Sequence, residues 1–176
     1  MRWTKLFAMV VLLLGSCCLG QTSPNAATEK STSPAPTFSI EVAPPVGPIR
    51  LGVPLNVIVT VTNISDKDIY WVADFGKDTI YKAFAFLLVK DGREVETTFF
   101  HRKITGRTRA DDPLEVEHSN LMPFPHPPGK MFTMTIDLTR LYKITEPGLY
   151  TLDVSRIDDD SKTTVRSKTL TLKVVP

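Results

Sequence analysis

A Pro-Gly turn that runs straight into a two-residue alternation, Glu146-Pro147-Gly148-Leu149-Tyr150-Thr151-Leu152-Asp153-Val154, narrows the possible folds more than any other stretch of this sequence. Successive side chains of a strand point to opposite faces, so Tyr150, Leu152 and Val154 share one face and Leu149, Thr151 and Asp153 the other. The same period recurs along the chain. Phe38, Ile40 and Val42 alternate with polar neighbours before a proline-rich exit. Leu55, Val57, Val59 and Val61 do so more regularly and end in the turn residues Asn63 to Lys67. Phe132, Met134, Ile136 and Leu138 form another such set, and Leu170, Leu172 and Val174 close the series.

Three further segments are less regular. Ile69-Tyr70-Trp71-Val72 reads as the strand facing the Val57–Val61 strand. Ala83 to Val89, AFAFLLV, is apolar at every position and predicts a strand buried on both faces. Asp91-Gly92 after it predicts a two-residue hairpin turn, in which both central residues take positive φ. A single helical turn is expected over Asp137 to Tyr142, and no longer helix. About eight strands without a substantial helix predict an all-β protein, an antiparallel β-sandwich.

The beginning of the chain is of another kind. Arg2 and Lys5 precede the apolar run Leu6 to Leu14, which is followed by Gly15-Ser16-Cys17-Cys18. That layout predicts a secretory signal peptide over 1–16, too short to span a bilayer as a helix. Leu14-Gly15-Ser16-Cys17 resembles a bacterial lipoprotein box, which implies lipidation of Cys17. Ordinary cleavage after Gly20 is the alternative. Residues 17–36 lack large apolar side chains and are rich in Ser, Thr, Pro and Ala, so they are expected to form a disordered linker ahead of one domain over 37–176. The expected location is therefore the cell envelope, lipid-anchored, or the extracellular or periplasmic space.

Removing residues 1–16 takes two of the 21 Lys and Arg and none of the 19 Asp and Glu, leaving 19 of each sign. Such a balance argues against a nucleic-acid partner, whose phosphates require a basic surface. Both cysteines sit at positions 17 and 18, so the domain must rest on its hydrophobic core with no internal disulfide.

Several residues carry a family resemblance. Tyr150, two residues before Leu152, resembles the tyrosine corner of immunoglobulin-like domains, with Leu152 in place of the second disulfide cysteine; Trp71 takes roughly the place of their core tryptophan. Thr135 to Tyr142 followed by Pro147-Gly148-Leu149-Tyr150-Thr151-Leu152 and Val154-Ser155-Arg156 is similar to secreted bacterial immunoglobulin-like domains. Some of these accompany deuterolysin-type metallopeptidases, and others are envelope proteins without a catalytic partner. Val59 to Ser65 resembles, more loosely, the intracellular proteinase inhibitors of bacilli. The resemblance implies an immunoglobulin-like sandwich, with Trp71, Tyr150 and Leu152 as structural residues.

Candidate chemistry is sparse. No His-Glu-x-x-His or Gly-x-Ser-x-Gly occurs, and no phosphate-cradling glycine loop. His101, His118 and His126 lack the spacing of paired metal ligands, and read as loop histidines. Asp158-Asp159-Asp160 reads as a solvated hairpin tip, without the ligand pattern of a calcium loop. The expectation is therefore no enzyme, no cofactor and no metal. The connection between Lys103 and Lys130 reads as a long loop whose end, Leu121-Met122-Pro123-Phe124-Pro125-His126, is stiffened by proline. Met122, Phe124 and Pro125 are the candidate partner-binding residues, with a second reading in which they merely cover one end of the sandwich. The function expected is a secreted or envelope-anchored binding or structural module for a protein or envelope component. The alternative is a proteinase inhibitor or protease-accessory domain that uses the 104–130 loop.

Overall fold

The computed structural model describes residues 34–74, 79–113 and 121–176. The expected signal peptide, Cys17, Gly20 and most of the expected linker lie outside the described residues, as does His118. In chain order the strands are β1 (Phe38–Ala43), β2 (Ile49–Arg50), β3 (Asn56–Asn63), β4 (Ile69–Asp74), β5 (Ala85–Lys90), β6 (Arg93–Glu94), β7 (Leu121–His126), β8 (Met131–Asp137), β9 (Gly148–Ile157), β10 (Thr164–Arg166) and β11 (Leu170–Val175). Among the described residues three short helices join them: α1 (Thr79–Lys82), α2 (Phe99–Ile104) and α3 (Leu138–Leu141). The chain is all-β.

β3 shows why these segments are strands. Its branched side chains suit the pleat, and the alternation leaves Val57, Val59 and Val61 fully buried while Ile58 stays partly exposed on the other face. It is the middle of the antiparallel sheet β1-β3-β8, where Val59 sits opposite Val42 on one side and Met134 on the other. A second sheet runs β2-β11-β9-β5-β6, with β10 on the far part of β9. All its pairings are antiparallel except β2 on β11. β4 and β7 form a separate antiparallel ribbon.

The inward residues of all three sheets meet in one hydrophobic cluster. Val57, Val59, Val61 and Ile136 come from the first, Leu88, Tyr150, Leu152, Val154 and Leu172 from the second, and Trp71 from the ribbon. Each fully buried Val or Leu contributes on the order of 1.5–3 kcal/mol relative to exposure, which is how a cysteine-free core holds. The helical turn forms where expected, because Asp137 caps it, its carboxylate accepting from the Thr139 N–H at 2.9 Å. Asp91 (φ 50°) and Gly92 (φ 76°) make the expected hairpin turn between β5 and β6.

Other expectations are corrected. The AFAFLLV strand is not buried on both faces: Phe86 and Leu88 point into the core, whereas Leu87 is 40 % exposed. β5 has core on one side only. β4 does not pair with the strand that precedes it but with β7. The proline-rich end of the supposed loop is therefore itself a strand. Consecutive antiparallel pairs alternate between hydrogen-bonded and open, so Pro123 and Pro125 can both occupy open positions, their missing N–H groups turned away from β4. The extended loop on which an inhibitor mechanism was built is correspondingly shorter. α2, six residues long, was not expected at all; Thr98 caps it, its hydroxyl accepting from the His101 N–H at 3.2 Å.

Candidate functional site

The segment from Thr97 to His126 contributes to two surfaces, one on the β4–β7 ribbon and one beside α2. On the ribbon, Ile69, Trp71 and His126 point inward and are buried, while Phe124 is half-buried with its ring centroid 5.9 Å from that of Phe132. Tyr70 and Pro125 lie opposite one another on the outer face. Tyr70 is 66 % exposed, and Pro123 and Pro125 are exposed as well. Met122 pairs with Ala73 in the backbone register, and its side chain lies outside the described residues. Phe124 is thus an inward anchor and Pro125 a surface residue.

Asn63 fixes the ribbon to the first sheet. Only 1 % exposed, it donates from Nδ2 to the His126 carbonyl at 2.6 Å and to the Lys67 carbonyl at 2.8 Å, while its Oδ1 accepts from the Ser65 N–H at 2.9 Å. One side chain therefore shapes the β3–β4 turn and holds the end of β7.

Behind the ribbon, Trp71 is surrounded by rings: Phe38 at 5.4 Å, Phe84 at 6.0 Å and His126 at 6.4 Å between centroids. The Arg156 guanidinium lies 4.0 Å from the Trp71 centroid and donates to the Ala83 carbonyl at 3.2 Å. Burial lowers the Arg156 pKa, and the charges of Asp159 and Asp158 work against that shift. An indole face is the strongest partner a guanidinium finds among aromatic rings. Sequence reasoning missed Arg156, whose alternation on β9 gives no sign that it crosses to another sheet.

The acidic tip is also corrected. Asp158 is only 2 % exposed. Its carboxylate accepts from the Thr37 N–H at 2.6 Å, the Thr37 hydroxyl at 3.1 Å, the Asp160 N–H at 3.0 Å and the Ser161 hydroxyl at 2.8 Å. Burial alone would raise its pKa, but these bonds to the charged form outweigh it and hold the carboxyl below its ordinary value. Asp158 makes the tip a clasp on the start of β1, while Asp159 and Asp160 stay exposed as a hairpin tip should.

Tyr150 is 2 % exposed, and its hydroxyl donates to the Glu146 carbonyl at 2.6 Å. Leu152, fully buried, lies between Leu88 of β5 and Leu170 of β11. Both residues sit in the packed interior, away from either surface described here.

The second surface is a groove of about 350 Å³ between β6 and α2, lined by Glu94, Glu96, His101, Arg102, Arg107 and Arg109 among others. Its histidine differs from the expected hydrated loop residue. His101 is buried on α2, its ring 5.0 Å from that of Tyr142, and its Nδ1 has no hydrogen-bond partner. Burial lowers its pKa, and Glu94 and Arg107 pull in opposite directions. The Nε2 of His126 is likewise buried without a partner. No cluster of three or more His, Cys, Asp or Glu that could hold a metal occurs among the described residues.

No protein-family model matches the chain, and no curated protein matches it. Among solved structures, the chain is similar to β-glucosidase from Listeria innocua. The complex with isofagomine matches at TM-score 0.40 and 19 % identity over 78 % of this chain and 16 % of that one. The glucose complex matches at TM-score 0.39 and 18 % identity over 79 % of this chain and 16 % of that one. The chain thus spans well under a fifth of the length of that enzyme. These neighbours are structures of an enzyme, and the expectation that the chain is not one is not carried forward. A likeness of this extent assigns it no activity or substrate.

Proposed function

We propose that the chain is an exported immunoglobulin-like β-sandwich that acts as a binding module for a protein of the cell envelope, tethered through a lipid on Cys17 or released by cleavage after Gly20. The sandwich reading is supported by the strand order β1-β3-β8 beside β2-β11-β9-β5-β6, with β2 parallel to β11 and one core shared by their inner faces. The hydroxyl of Tyr150 on an upstream carbonyl is the bond a tyrosine corner makes.

The observation that carries the binding reading is the outer face of the β4–β7 ribbon, where Tyr70 stands exposed opposite Pro125. Tyrosine brings a large, amphipathic contact area with few rotatable bonds, and interfaces are enriched in it. Proline is already ordered before binding, so little conformational entropy is lost there. The inner face of the same ribbon is pinned by Trp71, Phe124 and His126, which gives that pair a fixed platform.

A photoreactive phenylalanine analogue placed at Tyr70 in the full chain, in its own envelope, tests this. A discrete adduct with one protein is expected, with none from the same analogue at Leu149, which is 61 % exposed on the other sheet. No adduct at position 70, or equal adducts at both positions, would refute the ribbon as the binding face. Labelling of Cys17 by a palmitate analogue separates the anchored form from the released one.

A further inference from the structure

The groove beside α2 carries charges that the fold leaves uncompensated. Arg102 is already committed: its Nε donates to Asp112 at 3.0 Å, an Nη of the same guanidinium to the other oxygen of that carboxylate, and its remaining Nη to the Thr97 carbonyl at 2.9 Å. The Asp112 carboxylate also takes the Arg109 N–H at 2.8 Å, so its acceptor sites are largely used. Glu96 is paired with Lys143 at 2.7 Å. What remains on the groove walls is the guanidinium groups of Arg107 and Arg109, exposed and without a side-chain partner among the described residues, against the single carboxylate of Glu94. The local balance is one positive charge.

His101 adds a second, independent observation. It lines the groove, is only 9 % exposed, and its Nδ1 lacks a hydrogen bond. The neighbouring Tyr142 hydroxyl cannot supply one, because it donates to the Phe86 carbonyl at 2.6 Å. A buried ring nitrogen left open is uncommon in folded proteins. With the ring as it lies this nitrogen is closed off from the groove, and a ligand donor reaches it only when the imidazole turns.

We propose that this groove binds a small hydroxylated carboxylate. The carboxylate lies between the guanidinium groups of Arg107 and Arg109, whose planar forks match its two oxygens. Hydroxyl groups donate to the Glu94 carboxylate and, after a modest rotation of the ring, to His101 Nδ1. A singly charged acid balances the groove; a doubly charged phosphate would overshoot it. The volume of about 350 Å³ suits a molecule of this size, at the lower end of small-ligand sites.

The test is NMR titration of the protein with D-gluconate, following the His101 imidazole and the amides of 105–109, with acetate and sorbitol as the acid-only and hydroxyl-only arms. Gluconate is expected to saturate those shifts at millimolar concentration, and neither acetate nor sorbitol to do so. The exposed double variant R107A/R109A should keep its melting temperature and bind gluconate roughly tenfold more weakly or worse. Glu94→Gln should weaken gluconate, because its hydroxyl groups lose a charged acceptor. Absence of saturation by about 50 mM gluconate, a range beyond ordinary weak binding, would overturn the proposal. So would unchanged affinity in the double variant, and an acetate response equal to that of gluconate would reduce the groove to a general anion trap.

Discussion

Tyr150 concentrates one feature of the fold in a single hydrogen bond. Its hydroxyl reaches the Glu146 carbonyl from a buried ring, so Tyr150→Phe removes the donor and leaves that carbonyl short of a partner. The expected cost is about 1–2 kcal/mol in urea unfolding, and a loss below a few tenths would show the bond to be idle. His101 acts through pH. Burial holds its folded pKa below the ordinary 6.5, so at neutral pH and above it is uncharged in both states and costs nothing. As the pH falls past 6.5 the unfolded chain takes the proton first, and stability drains away through this residue. His101→Phe should flatten the stability profile between about pH 7 and 5 relative to the native chain. An identical slope in the variant would refute the assignment. The upstream bond of Tyr150 goes with its tyrosine-corner pattern in the sequence, but the other two sites are not legible from single residues: His101 reads as a loop histidine until α2 and Tyr142 enclose it, and the carboxylate of Asp158 reads as solvent-facing until Thr37 meets it across 121 positions.

At the scale of elements, legibility followed hydrophobic period. β3, β8, β9 and β11 were visible in sequence because each has one buried face and one open one, which forces alternation. β5 was visible as a strand but misjudged in burial, since the apolar Leu87 on its open face carries no penalty large enough to exclude it. β7 was hidden by its prolines, which forbid a central strand and permit an edge one. That permission has a use. With no N–H at Pro123 and Pro125, the free edge of the ribbon offers few donors to another chain, a protection against edge-to-edge pairing. Replacing both prolines with threonine should restore those donors and shift sedimentation toward dimers or larger species at high concentration. A variant that sediments like the native chain would show that the edge is guarded by something else. α2 was missed because six residues give too short a window for a helical period to emerge; Thr98 as its cap was the available signal.

At the scale of the whole molecule, stability among the described residues rests on one core assembled from three sheets. Cys17 and Cys18 are the only cysteines in the sequence, so reductant should leave the melting temperature of the folded domain unchanged. A drop of several degrees in dithiothreitol would contradict the cysteine-free core. Fold class was legible at this scale because many segments repeat the same two-residue period; the two surfaces were not, because each joins residues from separate elements.

The Asp158 clasp bears on how such a domain withstands a pull. Tension drawn from the N-terminal side reaches Thr37 before it reaches any rung of β1, and there it meets a carboxylate holding both the backbone and the hydroxyl of that residue. Load is thereby shared with the β9–β10 hairpin before the edge strand can peel, and acid strong enough to protonate Asp158 would loosen that grip first.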